Sequence, residues 1–306
     1  MRVATSRHQL DLALADARDP HAPGGVFVPT MGALHQGHGA LVAQAARIAR
    51  DEGITHVVAS VFVNPTQFND PADLARYPRT LDADIALCEA HGATVVFAPS
   101  VDEVYPDPAR VRLHDALLPA DIARLVPPVA TLPGLEDAHR PGHFAGVCQV
   151  VARLFDLVRP AAAVFGEKDW QQLQVIRAMV QRLAAEPSDA ARPAARVRII
   201  PGPTVREPDG VAMSSRNRFL DPAWRARAAA IPAAWRAAQA IPDLAHAERT
   251  MARILTDAGL AVEYAAIRDA ATLMPISSPA APARALIAAR AGSVRLLDNA
   301  PWPAPL

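Results

Sequence analysis

Lysine is nearly absent from this 306-residue chain: of its 31 basic side chains 30 are arginine, and the single lysine is Lys168. Arginine has replaced lysine wherever the two are interchangeable. They are not interchangeable where a compact ammonium on a flexible stem is required. Cysteine is scarce as well. Cys88 and Cys148 stand far apart with no CxxC between them, which excludes a disulfide framework and a cysteine zinc site. Both are expected as reduced thiols in helices, which suits a cytoplasmic protein. Net charge is missing, since 31 acidic side chains balance the 31 basic ones. A dedicated nucleic-acid binder with a broad basic face is therefore not expected. No apolar run approaches the roughly 18 residues of a membrane-spanning helix. The first twenty residues lack the apolar core of a signal peptide and read instead as a short amphipathic helix around Leu10, Leu12 and Leu14.

What is present is an alternation. Residues 25–29 (GVFVP) form a β-type run, 39–52 carry helical apolar spacing, and 56–63 (HVVASVFV) are a continuous β-branched run of the kind buried on both faces. A loop follows, then a helix over 81–91 and a strand over 93–98. This order predicts an α/β fold, a parallel sheet with helices on both faces. Residues 105–142, rich in proline and glycine, read as a loop excursion with one short helix. The alternation resumes with a helix at 144–158, a strand at 161–165, a helix at 170–186 and a strand at 196–200. After residue 204 the texture changes to Ala-rich helices at 221–240 and 243–258 and short strands at 262–268, 284–290 and 293–297. The chain thus divides into a larger domain, 1–204, and a smaller α+β domain, 205–306, ending in a loose tail, PWPAPL.

Five segments carry chemistry. PTMGALHQGHGAL, residues 29–41, lies at a strand-to-helix junction, where ligands of open parallel sheets bind and where helix N–H groups favour phosphate. His35 and His38, three apart, project to one side and can stabilise developing negative charge. VFVNPTQF places Asn64 and Gln67 at the end of a strand, as amides suited to hydroxyls and carboxylates or as a plain Asn-Pro turn. RPGHF offers Arg140 and His143 to an anion. FGEKDWQQL holds Lys168, whose ammonium can neutralise a transferring phosphoryl group. Asp169 beside it assists a metal or caps the helix. Gln171 and Gln172 share the next turn. In VAMSSRNRFL, Ser214, Ser215 and Arg216 make a compact phosphate-binding set or a polar interdomain loop.

In this order, PTMGALHQGH, NPTQF, RPGHF, GEKDWQQL and MSSRNRFL resemble the pantoate–β-alanine ligase family across essentially the whole chain, as do YPRTLDAD at 77–84 and RLLDN at 295–299. HxGH alone marks only the wider nucleotidylyltransferase superfamily. The resemblance implies a Rossmann-like domain closed by the smaller one, usually in a homodimer, and a reaction using ATP and Mg²⁺. Pantoate is adenylated with release of pyrophosphate, and β-alanine then displaces AMP. By resemblance Met31, Gly32, Ala33, Leu34, His35, Gln36, Gly37 and His38 line the ATP site, with His38 as proton donor and His35 on phosphate. Gly166, Glu167, Lys168 and Asp169 contact ATP. Val205, Met213, Ser214, Ser215 and Arg216 close over the nucleotide. Gln67 holds pantoate near β-alanine, and Gln172 binds pantoate. Asn64, Arg140 and His143 are further substrate-binding candidates, and protein ligands for Mg²⁺ are not assigned.

Two stretches look longer than the family pattern: Tyr105 to Arg140, with LLPADIARLVPPVA, and the linker 186–196. Proteins of neighbouring classes would carry other features. A nucleotidyltransferase that stops at nucleotidyl transfer would release pyrophosphate and form no amide. A tRNA synthetase would need an RNA-binding extension. A silent nucleotide-binding protein would be expected to lack one of the polar motif residues.

Overall fold

The computed structural model describes residues 1–15, 25–69, 71–107, 120–187, 192–278 and 282–303. In its first two thirds six short strands build one sheet: β1 (Arg2–Ala4), β2 (Val26–Thr30), β3 (Val57–Val61), β4 (Val95–Phe97), β5 (Ala162–Gly166) and β6 (Arg198–Gly202). They lie in the order β1-β4-β3-β2-β5-β6, and every pairing is parallel. Parallel neighbours need crossovers, and helices supply them. In chain order these are α1 (Arg7–Leu14), α2 (Gln36–Asp51), α3 (Pro71–Arg76), α4 (Leu81–Ala90), α5 (Val101–Val104), α6 (Ala120–Ala123), α7 (Glu136–His139), α8 (His143–Val158) and α9 (Trp170–Ala185).

The period of two along each strand divides the core into two layers. Val26 and Val28 of β2 face α2 and α4, where they meet Val42, Ala45 and Cys88. Phe27 turns to the opposite face, into a cluster with Phe97, Phe155, Phe165 and Met179 around α8 and α9. The α8 sequence is apolar nearly all round, and the helix is buried along almost its whole length. From β2 the chain builds outward to β3 and β4, and after β4 it returns to β5 on the other flank of β2. The crevice at the carboxyl ends of β2 and β5 is therefore the switch point at which such sheets bind ligands.

The last third contributes α10 (Pro222–Arg227), α11 (Ala230–Ala238) and α12 (Leu244–Asp257). They are followed by an antiparallel sheet, β7 (Ala261–Asp269), β8 (Ala283–Ala291) and β9 (Val294–Trp302), in the order β7-β8-β9. Ala247, Met251 and Leu255, four apart on α12, are fully buried against this sheet together with α11. The other sheet face meets the first unit: Ala266 of β7 and Leu286 of β8, with Leu273 from the turn after β7, enclose Leu135, and Trp170 packs beside them.

Several sequence expectations need correction. Residues 2–4 are an edge strand, too short to stand out, and the main-chain N–H of Arg2 donates to Thr94 O at 2.9 Å. The 64–80 loop contains a 3₁₀ turn at Pro65–Gln67 and the helix α3. The described part of 105–142 holds two short helices, α6 and α7, and a 3₁₀ turn, rather than one helix; residues 108–119 lie outside the described residues. The expected 221–240 helix is two helices, because Pro232 has no N–H for the carbonyl of Ala228 and its ring clashes there. The expected loose tail is in part strand: β9 runs to Trp302, which is buried, and proline at 301 is tolerated on an edge strand. Residues 304–306 lie outside the described residues. Cys88 and Cys148 are free thiols buried in α4 and α8. Among the described residues no helix is long and apolar enough to cross a membrane.

Candidate functional site

The loop after β2 is held by one carboxylate. Asp84, buried near the start of α4, accepts from the main-chain N–H of Ala33 at 3.1 Å and of Leu34 at 2.8 Å. This fixes Ala33 in a left-handed conformation with φ 52°, a strained geometry that persists only where its surroundings enforce it. The loop then delivers His35 as the N-cap of α2. His35 Nδ1 accepts from Gly37 N–H at 3.1 Å, and His38 Nδ1 accepts from His35 N–H at 3.3 Å. With both Nδ1 atoms accepting, each neutral ring carries its proton on Nε2. The rings lie 4.1 Å apart. Glycine at 37 is required, since a Cβ there would sit 2.8 Å from the His35 ring. Burial, then Lys168 and Arg218, push His35 down to about 4. Burial, then His35 and Lys168, push His38 down to about 3.

β5 ends at Gly166 and turns through 167–169 into α9. The Lys168 ammonium lies 3.3 Å from Asp169 Oδ1. Burial alone would raise the Asp169 carboxyl, but Lys168, Arg216 and Arg140 outweigh it and hold the group below the usual carboxylate range. The smaller unit grips this turn from behind. Arg284 on β8 pairs with Glu167 at 3.1 Å and lies 3.5 Å over the Trp170 ring. Asn299 on β9 donates from Nδ2 to the carbonyls of Glu167 at 3.0 Å and Lys168 at 2.8 Å.

At the end of β3, Asn64 is fully engaged by protein. Its Nδ2 donates to Gln67 Oε1 and Gly146 O, and its Oδ1 accepts from Thr66 and from the Tyr105 hydroxyl. Asn64 thus orients Gln67. The start of α8 approaches this turn so closely that a Cβ on Gly146 would collide with the Thr66 carbonyl. His143 Nδ1 donates to Gln67 O at 2.9 Å, and its Nε2 accepts from Arg140 Nη1 at 3.1 Å. Burial, and then Arg140, push His143 well below the usual histidine range.

These elements enclose a cleft with two lobes. The first is lined by Met31, His35, Gly37, His38, Asn64, Gly166, Val205 and Met213 to Arg216, with an apolar wall of Phe62, Val147, Val150, Val151 and Leu154. The second lies between the two units and is lined by Glu136, Arg140, His143, Tyr264 and Asn299 among others. Met31, Gln67, Lys168, Asp169, Gln172 and Arg216 face both. Gly32, Ala33, Leu34, Gln36 and Glu167 line neither lobe. The first three carry the turn, Gln36 is exposed on α2, and Glu167 faces Arg284. Gln171 is tied to Glu136 N and Val129 O, so Gln172 is the more open of the pair.

Residue patterning alone does not find Asp84, Glu136, Tyr264, Arg284 or Arg295. Their partners lie far off in sequence, and only the fragments YPRTLDAD and RLLDN pointed to two of their regions. Among the described residues there is no group of three or more histidine, cysteine or carboxylate side chains able to hold a metal.

The sequence model of the family described as "Pantoate-beta-alanine ligase" matches residues 2–301. A pantothenate synthetase from a Nocardioides species is 44% identical over 306 residues, covering 98% of this chain and 84% of that protein. A crystal structure of pantothenate synthetase from Thermus thermophilus superposes with a TM-score of 0.81 at 40% identity, over 100% of both chains. Pantoate-beta-alanine ligase from Francisella tularensis, complexed with beta-gamma ATP and beta-alanine, gives 0.72 at 30% identity, over 98% of this chain and 97% of that one.

Proposed function

This chain belongs to the pantoate–β-alanine ligase family and is an ATP-dependent pantoate–β-alanine ligase, and we propose that it works through a pantoyl-adenylate formed in the first lobe. A pantoate carboxylate oxygen attacks the α-phosphorus of ATP, and the bond to the β-phosphate breaks, releasing pyrophosphate with the electron pair. The β-alanine nitrogen then attacks the acyl carbon. The C–N bond forms, the C–O bond to AMP breaks, and the amine proton passes to solvent.

The observation that carries this reading is the convergence of Lys168, Arg216 and two neutral imidazoles on one cavity with an apolar wall opposite. Adenylation needs positioning and charge stabilisation rather than a protein nucleophile. The Nε2–H groups of His35 and His38 donate to phosphate, and Lys168 and Arg216 supply positive charge to the leaving pyrophosphate. A bound triphosphate raises both depressed imidazoles, so the proton-donor role of His38 belongs to the loaded site. Met31, Gly37, Gly166, Val205 and Met213 to Ser215 enclose the nucleotide. Gly32 to Leu34, Gln36 and Glu167 act through the backbone turns that carry it. Gln67 and Gln172 face the junction of the lobes and take the pantoate hydroxyls and carboxylate, while Phe62, Val147 and Val150 suit its branched aliphatic body.

Magnesium fits this site sparingly. The ion needs only one or two protein carboxylates when phosphate oxygens complete its shell, and Asp169, held ionised, is the candidate. When bound it would neutralise phosphate charge. We assign the compartment to the cytoplasm, the unit boundary to 204/205, and the assembly to a homodimer, which light scattering tests as one chain mass or two. The ligase reading is tested by AMP formation from ATP and pantoate with and without β-alanine. AMP that appears only with β-alanine, alongside pantoate-dependent pyrophosphate exchange without it, supports the reading; exchange without amide formation overturns it.

A further inference from the structure

The second lobe contains a positive charge whose nearest carboxylate is bound more tightly by another arginine. Arg140 follows α7, one helical turn after Glu136, and in isolation the two would pair. Here Arg140 Nη1 stays 3.9 Å from Glu136 Oε2. Both Glu136 oxygens are held by Arg295 of β9, at 2.7 and 2.5 Å, and Oε1 also accepts from the Tyr264 hydroxyl at 2.7 Å. The other polar contacts of Arg140 are His143 Nε2 at 3.1 Å and the Gln67 carbonyl at 3.5 Å, both neutral. His143 can accept from Arg140 because its Nδ1 proton is committed to the Gln67 carbonyl. A largely buried guanidinium whose nearest carboxylate is already satisfied by Arg295, and which feels Asp169 only at longer range, is costly unless a further anion completes it. Burial, with Arg216 next, lowers Arg140 to about 10, so it remains charged at neutral pH.

Resting on the ligase reading above, we infer that Arg140 is the receptor for the carboxylate of β-alanine, which enters through the second lobe, and that Arg295 keeps Arg140 available by holding Glu136. The two substrates differ in a way that fits this assignment. The pantoate carboxylate loses its charge on adenylation, whereas the β-alanine carboxylate keeps it from entry to product. A fixed guanidinium suits the anion that never changes. In the proposed reaction His35 and His38 serve the phosphates from the first lobe, Lys168 and Arg216 do so from the border of both lobes, and Gln67 and Gln172 stand between the lobes, where the acyl carbon would lie, which leaves Arg140 as the arginine that lines the second lobe alone. An amine two methylenes from its carboxylate can reach that junction while its other end stays on Arg140. Arg295 is a positioning residue in this scheme: it touches no substrate.

The experiment uses the full chain and reads the two half-reactions separately. Arg140→Gln is expected to raise the β-alanine KM by roughly 30-fold or more, the usual scale for removing one partner of a buried charge pair, while pantoate-dependent ATP–pyrophosphate exchange falls far less. It is also expected to abolish the preference for β-alanine over 3-aminopropanol, which lacks the carboxylate. Arg295→Gln should raise the same KM by releasing Glu136 to Arg140, and adding Glu136→Gln should bring it back down. An unchanged β-alanine KM in Arg140→Gln overturns the inference, as does a parallel loss of exchange and amide formation. Failure of the second-site rescue overturns the role of Arg295. Absence of pantoate-dependent exchange in the unaltered protein overturns the ligase reading itself, a distinct outcome.

Discussion

Asn299 Nδ2 donates to the main-chain carbonyls of Glu167 and Lys168 together, at 3.0 and 2.8 Å, and so ties β9 of the smaller sheet to the turn that carries the only lysine. The backbone of a proposed catalytic turn is thereby set by a residue 131 positions away. Asn299→Asp keeps the shape and removes both donors. Turnover should fall roughly 10- to 100-fold, the scale of a small misplacement at a reacting centre, with a melting temperature lowered by only a few degrees. Steady-state rates and a thermal melt on the same sample check this. A wild-type rate would show that the grip does not set the turn.

Lys168→Ala should reduce adenylate formation by roughly 10² to 10³, the range for losing one preorganised electrostatic group, with the fold intact by circular dichroism. Lys168→Arg is the stricter variant. A guanidinium is planar and wider than an ammonium, and Arg216 already borders the same lobe. The arginine variant should therefore recover less than a tenth of the lost rate in the exchange assay.

Asp84→Asn replaces two acceptor oxygens by one acceptor and one donor, facing two N–H groups. The main-chain N–H of Ala33 or Leu34 then loses its acceptor, at about 1–3 kcal/mol. Denaturant melts should show that loss, and ATP should bind more weakly as the turn at Ala33 relaxes. Unchanged nucleotide affinity would separate the loop from the site.

The depressed histidines give the fold a pH signature. A histidine with a folded-state pKa of about 3, as at His38, against the usual 6.5 stabilises the fold fully above 6.5. That contribution declines as pH falls from 6.5 toward 3, because the unfolded chain takes up the proton first. His35, at about 4, acts in the same direction. In the absence of ligand, the melting temperature of His38→Asn relative to wild type should therefore rise steadily from pH 7 to pH 5. A flat difference would mean that His38 is not held neutral.

Some of this was legible from residue order and some was not. The β2–α2 junction announced itself through closely spaced glycines and two histidines, and α8 through an apolar run too long for a strand. The β-branched run at 56–63 reads as a strand buried on both faces, and Val57–Val61 is that strand. By contrast, β1 is three residues long and acquires its identity from β4. Asp84 acts on Ala33 across 51 positions, and Arg295 acts on Glu136 across 159. No local period records such pairings. Asn64 shows a different limit: its place at a strand end leaves substrate contact and a plain turn both open, and the contacts of its amide with Gln67, Gly146, Thr66 and Tyr105, made while it borders the first lobe, are not written in that local pattern.

The single lysine also makes the molecule its own reporter. Acylating and reductively alkylating reagents have one side-chain amine to find, and it stands in the cleft with about 17% of its surface accessible. Mass added there counts open sites directly, without a mutant or a radiolabel. Nucleotide that covers Lys168 should slow the labelling in proportion to occupancy, so a simple time course becomes a binding isotherm.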